Sequence, residues 1–204
     1  GYDQPGVELT YIGTSPGEAG DQYTGLDRFG RLVDQRWVQG STDLERVQWG
    51  FDRASNRTWR KNLVAPAENP QDELYSYDGL SQLAGFQRGL LNSDRTQLST
   101  PAPSEEYFSY DPLGNWDRYQ TRANALTTLD QDREHNAANQ ITGLVNTAPT
   151  LEDVSQTLAY DSAGNMTKCP KSGDWTGHYT LTWDAWNRLM EVRNSDTSVV
   201  ASYA

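Results

Sequence analysis

The chain has 204 residues, 35% of them hydrophobic, with a mean hydropathy of -0.80, yet its seven Trp, eleven Tyr and four Phe are too many aromatics for a solvated, disordered chain. A net charge of -11, from 28 acidic and 17 basic groups, argues against nucleic-acid binding through phosphate contacts. A single cysteine, Cys169, excludes an internal disulfide, and no apolar run approaches the length of a membrane span.

Polar on average but rich in aromatics, such a chain is expected to form sheets with one buried face. It opens on Gly1 with no Met, signal peptide or transit peptide, and is read as a piece of a longer protein whose remainder is its first partner. Residues 1–22 are expected to be a partial repeat and loop, because Tyr2-Asp3-Gln4-Pro5-Gly6 is a weak copy of a motif that recurs downstream.

The first full copy is Leu26-Asp27-Arg28-Phe29-Gly30-Arg31-Leu32, followed by Phe51-Asp52-Arg53-Ala54-Ser55-Asn56-Arg57 and Tyr77-Asp78-Gly79-Leu80-Ser81-Gln82-Leu83. Next come Tyr110-Asp111-Pro112-Leu113-Gly114-Asn115-Trp116 and His135-Asn136-Ala137-Ala138-Asn139-Gln140-Ile141. The last two are Tyr160-Asp161-Ser162-Ala163-Gly164-Asn165-Met166 and Trp183-Asp184-Ala185-Trp186-Asn187-Arg188-Leu189. The lead residues are spaced by 25, 26, 33, 25, 25 and 23 positions, a period that chance motifs would not keep. The long step holds residues 92–104, with Asp94, Pro101 and Pro103, and is read as a loop inserted into one repeat.

The columns have a physical reading. Asp or Asn at the second position can bond the backbone two residues on and open a turn. Gly or Asn at the fifth accepts the left-handed conformation cheaply. Pro112 stands where a type I turn favours proline, and a type I turn followed by a left-handed residue makes a three-residue hairpin loop with a bulge. Before the corner, Trp49/Phe51, Tyr75/Tyr77 and Phe108/Tyr110 alternate with Gly50, Ser76 and Ser109, the period of a strand with one face buried. No sustained helical stripe is present; Thr121 to Leu129 is the nearest stretch and it is short. The expected fold is all-β: antiparallel β-hairpin repeats forming a curved ribbon, about seven repeats across residues 23–193, with the start of a further, truncated strand at 194–204.

In this register the chain resembles the Rhs/YD-repeat family, which includes the shells of insecticidal toxin complexes and of teneurins. The carriers are Tyr77-Asp78, Tyr110-Asp111 with Gly114-Asn115, Tyr160-Asp161 with Gly164-Asn165, and Trp183-Asp184 with Asn187-Arg188-Leu189; the resemblance covers roughly residues 23–193. It implies a long β-ribbon that spirals into a hollow shell. In bacterial members the shell encloses a toxic C-terminal region and the protein is secreted or sits at the cell surface; in teneurins it belongs to an adhesion receptor. For this chain it implies a non-catalytic structural segment of a YD-repeat shell, with a C-terminal effector as cargo. Seven or eight hairpins are too few to close a shell, and neither the family's self-cleaving core nor an effector domain is matched here, so toxicity and autoproteolysis are not assigned.

The residues support no sharper chemistry. A turn Asp in every repeat answers to backbone geometry better than to paired catalytic carboxylates. Asp27, Gly30, Asp52, Asp78, Asp111, Gly114, Asn136, Asn139, Asp161, Gly164, Asp184 and Asn187 are therefore expected to be structural turn residues. Asp132-Arg133-Glu134-His135 reads as a variant repeat with a half-buried ring, and Cys169, Asp174 and His178 lack the tight ligand pairs of a zinc site. Residues Lys168 to Trp175 read as a long polar loop. Asp72-Glu73, Glu105-Glu106 and Asp130 to Glu134 read as solvated faces and loops, without the ligand spacing of a calcium site. Asn56-Arg57-Thr58 and Asn165-Met166-Thr167 match the glycosylation acceptor pattern by coincidence beside tight turns. No catalytic residue, cofactor or metal is expected. The alternative is an adhesion or carbohydrate-binding module with a glycan or cell-surface partner, acting through exposed aromatics, of which Trp37 and Trp175 are the candidates and Trp59 and Trp186 also fall outside the lead column.

Overall fold

The computed structural model describes residues 8–10, 25–99, 101–147, 154–171 and 174–203. All regular structure among them is β, and every pairing of named strands given below is antiparallel. The chain divides into two compact units, Gly1–Glu106 with Arg122–Leu126, and Tyr107–Thr121 with Thr127–Ala204.

The first unit contains β1 (Glu8–Thr10), β2 (Asp34–Gln39), β3 (Thr42–Phe51), β4 (Arg57–Asn62), β5 (Asp72–Tyr77) and β6 (Leu83–Gly89), and strand order in the sheet is chain order. β7 (Ser104–Tyr110) and β8 (Trp116–Ala123) follow, most of both lying in the second unit. That unit continues with β9 (Leu126–His135), β10 (Ile141–Asn146) and β11 (Val154–Thr157), again in chain order. A second sheet holds β12 (Ala159–Tyr160), β13 (Met166–Lys171), β14 (Asp174–Trp183), β15 (Leu189–Asn194) and β16 (Val199–Ser202).

The hairpins turn where the repeat motif stands. β3 ends on Phe51 and β4 begins at Arg57; Tyr77 and Leu83, Tyr110 and Trp116, His135 and Ile141, Tyr160 and Met166, and Trp183 and Leu189 bracket the later corners in the same way. The Leu26–Leu32 bridge closes the first. A register shift follows next to the corner, between Gly50 and Phe51, Ser76 and Tyr77, Ala159 and Tyr160, and Thr182 and Trp183. Corners lie at one end of the strands; the opposite end carries connections of varied length, from the Asn124–Ala125 turn, with φ of 51° and 67°, to the 90–103 loop.

Among the described residues buried apolar side chains are few: Val38, Val47, Leu91 and Ala102 in the first unit and Leu158 in the second. Most strand positions are half-buried on both faces, as in a single-layer sheet. One close approach locks the first unit: the indole of Trp59 lies over Gly50, and a Cβ there would stand 2.0 Å from its Nε1. Only glycine leaves that space.

Two expectations are corrected. The described residues of the polar stretch from Lys168 to Trp175 are strand: β13 runs through Cys169 and Pro170 to Lys171, β14 starts at Asp174, and the register shifts just after Pro170, where a bulge accommodates the missing N–H. Thr121 to Leu129, the stretch nearest to a helical pattern, forms the end of β8, a two-residue turn and the start of β9, in keeping with the all-β expectation. The acidic clusters are only partly solvated: Asp72, Glu73, Glu105 and Asp130 are buried, Asp72 at 2% exposure, while Asp132 and Glu134 are exposed. The buried charges are met by neighbouring strands. Asp72 accepts the backbone N–H of Asn62 and Leu91. Glu73 pairs with Arg88 at 2.8 Å. Asp130 accepts Nε and Nη2 of Arg118 at 2.9 and 2.8 Å and the amide of Gln120 at 2.8 Å.

The segment expected as an insertion lies between β6 and β7, where Asn92 opens a turn of its own and Leu91 bridges Leu98. At the C-terminal side, a turn from Asn194 to Ser198 leads into β16. Of residues 1–22, only the backbone of β1 lies within the described residues.

Candidate functional site: the repeated corner

All seven corners are closed by the same two backbone hydrogen bonds. The second residue donates to the carbonyl of the sixth, as in Asp27 to Arg31, Asp111 to Asn115 and Asp184 to Arg188; the fifth donates back to the carbonyl of the second, as in Gly114 to Asp111 at 3.0 Å. The fifth residue has positive φ throughout: Gly30, Ser55, Ser81, Gly114, Asn139, Gly164 and Asn187 span 59° to 89°. Glycine is unstrained there and asparagine nearly so, whereas Ser55 and Ser81 hold a conformation that L-residues with a Cβ seldom adopt.

The Asp side chain completes each turn. Oδ1 of Asp111 accepts the backbone N–H of Leu113 and Asn115 at 2.8 and 2.9 Å, and Oδ2 accepts the Asn115 amide at 2.9 Å. Asp161 repeats this with Ala163 and Asn165, Asp184 with Trp186 and Arg188, and Asp27 with Phe29 and Arg31. Asp78 accepts Leu80 and Gln82 through Oδ1, and Asp52 accepts Asn56 through both oxygens. Asn136 fills the same place with Oδ1 and turns its own amide toward Gln140. The Asn115 amide beside Asp111, and that of Asn165 beside Asp161, hold those carboxyls below the usual range. For Asp184 the backbone N–H of Arg188 contributes most to the same lowering. These carboxylates are committed to backbone donors.

Two further kinds of side-chain contact tie corners to their neighbours. The sixth residue reaches the fifth residue one repeat on: Arg31 to Ser55 at 3.1 Å, Asn56 to Ser81 at 3.2 Å, Asn115 to Asn139 at 3.1 Å and Asn165 to Asn187 at 2.9 Å. The lead residue reaches back. Tyr77 donates to the carbonyl of Arg57, Tyr160 to that of Ile141, and the Trp183 indole to that of Met166, at 2.9, 3.0 and 2.7 Å. The sequence reading missed the sixth column. Its signal was present in Arg31, Asn56, Gln82, Asn115, Gln140, Asn165 and Arg188, all of them side chains with N–H donors.

The aromatic candidates are dispersed. Trp37 is half-buried in β2, opposite Glu45 of β3, and Trp175 belongs to β14 with its side chain outside the described residues. Trp59 is covered by the Arg95 guanidinium at 4.3 Å, and Trp186 stands exposed at a corner tip. Cys169 is half-buried in β13, where burial pushes its thiol pKa up, opposite to the shift an activated nucleophile needs. Among the described residues no group of three or more His, Cys, Asp or Glu side chains is placed to hold a metal ion.

No protein-family model and no curated protein matches the chain. Solved structures do. The TcdB2-TccC3-Cdc42 crystal structure is similar at a TM-score of 0.44 and 13% identity, over 88% of this chain and 11% of that one. A Tc holotoxin pore of Photorhabdus luminescens is similar at 0.43 and 14%, over 85% and 11%. A porin-like protein from Bacteroides uniformis is similar at 0.35 and 12%, over 83% and 85%. The chain thus spans about a tenth of the toxin chains it matches.

Proposed function

We propose that the chain is a non-catalytic wall segment of a YD-repeat shell in a secreted or cell-surface bacterial protein, and that the shell encloses a C-terminal effector. One observation carries this reading: seven corners closed by the same backbone bonds, each closing one hairpin and each tied to a neighbour by side chains, extend sheets one hairpin at a time. A sheet whose strands are half-buried on both faces suits a wall with one side toward a chamber and the other toward solvent. The work of such a segment is containment, and its partners are the rest of its own chain and the cargo.

The test uses the natural full-length protein. Cryo-electron microscopy should show residues 23–193 in the wall of a closed cavity, and limited proteolysis should spare the region after the repeats until the shell is opened by denaturant. Immediate digestion of that region in the folded protein, or a ribbon that encloses nothing, would refute containment.

A further inference from the structure

We propose that the inserted loop between β6 and β7 roofs a small-molecule site, and that the site takes a neutral, hydroxyl-rich ligand of the sugar class. One spacing in the repeat register is long, 33 residues against 23 to 26 elsewhere, and the extra residues fall here. A long connection on a regular scaffold is a common place for function.

The floor is a row of paired residues on one face of the sheet. Gly50 pairs with Trp59, Trp59 with Leu74 and Leu74 with Gln87, so they share a face. Gln87 extends the row to β7 by donating from Nε2 to Oε2 of Glu105 at 3.1 Å. Glu105 is 7% exposed, so the row ends on a buried carboxylate.

The loop is anchored at several points above this row. The backbone N–H of Asn92 donates to the Gln97 carbonyl, and Asn92 Oδ1 accepts the N–H of Thr96 and of Gln97. That turn aims Arg95 back across the sheet. With φ of 59°, its guanidinium lies 4.3 Å from the Trp59 ring centroid, and Nη2 donates to Oε1 of Gln48 at 3.0 Å. Leu98 packs on Gly89, where a Cβ would stand 3.1 Å from its Cδ1, and the N–H of Ser99 donates to the Leu90 carbonyl at 2.6 Å. Loop and floor together bound a cleft of about 550 Å³. Small-molecule sites span about 300–1,000 Å³.

The lining selects the ligand. Leu74, Gln87 and Glu105 line the cleft from the sheet, and Thr96, Gln97 and Ser99 from the loop. A loop that only covered the sheet would turn apolar side chains into this space; here it presents two hydroxyls and an amide. Hydroxyls and amides both donate and accept, whereas the Glu105 carboxylate accepts only. Ligand hydroxyls match that set, giving a proton to the carboxylate and taking one from an amide, while Leu74 and Pro101 offer aliphatic surface to the C–H face of a ring. Among the described residues no cation lines the cleft, so an anion would find no counter-charge. An amine would engage Glu105 and leave the loop hydroxyls and amide without a role. The cleft lies wholly within the first compact unit and stands whether or not the ribbon closes into a shell.

Nitrogen-15 NMR spectra of the chain, titrated with glucose, galactose, N-acetylglucosamine, maltose and cellobiose, test the site. At least one of these sugars should shift the backbone amides of Gln97 and Ser99 and the side-chain amide of Gln87 saturably, with a Kd of about 10 mM or tighter. Gln97→Ala, at an exposed position, should weaken that sugar about fivefold, the loss of one hydrogen bond, and leave the far-ultraviolet circular dichroism spectrum unchanged. Arg95→Ala should also weaken it, by releasing the roof from Trp59 and Gln48. No saturable shift with any of these sugars overturns the proposal, as does binding that Gln97→Ala leaves unchanged or whose shifts lie outside the cleft. Saturation by putrescine and by none of the sugars would assign the cleft to amines and overturn the proposal too.

Discussion

Asp111 shows how much of this protein is settled by single side chains. Its three hydrogen bonds close a turn of six residues and hold its carboxyl below the usual range, chiefly through the Asn115 amide. The sign of the pH effect follows. A carboxyl with a folded pKa under its ordinary value near 3.8 stabilises the fold fully above that value, and the contribution is lost as pH falls through the depressed folded value. Thermal unfolding from pH 6 downward should therefore show Tm falling below about pH 4. Asp111→Asn, which keeps the Oδ1 acceptor as Asn136 does, should be less stable than the unaltered chain at pH 7 and close to it at pH 2. Gly114 is the second determinant. With φ of 85°, replacement by Val should cost about 1–2 kcal/mol, whereas Asn, already used at positions 139 and 187, should cost less; urea denaturation separates the two.

At the scale of paired strands the decisive contacts are those no single repeat contains. Gly50→Ala would place a methyl carbon 2.0 Å from Nε1 of Trp59, force the indole off the strand, and destabilise by about 1–3 kcal/mol. Trp59→Ala should suppress most of that effect, and a double-mutant cycle read by urea denaturation would measure the coupling. The β8–β9 pair holds a different lock. Arg118→Ala would leave the buried Asp130 carboxylate short of two donors and should cost about 1–3 kcal/mol. Asp130→Ala should cost less, because Arg118 is half exposed and water can take the place of its partner. Asp34 with Arg46 and Gln48 repeats this arrangement between β2 and β3.

At the scale of the molecule, one period is the natural unit of change. Deleting residues 135–159 joins Glu134 to Tyr160 and passes one lead residue into the place of another. Since each repeat contacts mainly its neighbours, the shortened chain should still unfold cooperatively, with an m-value lower by roughly an eighth, as 25 of 204 residues are removed. Deleting only residues 135–146 removes one corner without restoring the register, and circular dichroism should report loss of the native sheet signal.

The turns were legible in the sequence because their chemistry is local. Asp at the second position and a left-handed residue at the fifth act within six residues, so strand–corner–strand could be read before any pairing was known, and so could the all-β class. Other features depend on which strand comes alongside, and only the tertiary structure decided them. Asp72, Glu73, Glu105 and Asp130 look like solvent-facing charge in sequence, yet lie buried because Arg88, Arg118 and backbone N–H groups of adjacent strands meet them. Pro170 looks like a loop residue, yet a register shift between β13 and β14 admits it to a strand. The exposure of Phe29 and Leu80 at the corner tips is likewise invisible in composition, since apolar residues in a period-two pattern are expected inside. Short-range hydrogen bonding is written in neighbouring letters; burial and exposure are set by residues brought together from 10 to 25 positions away, and only the folded sheet identifies them.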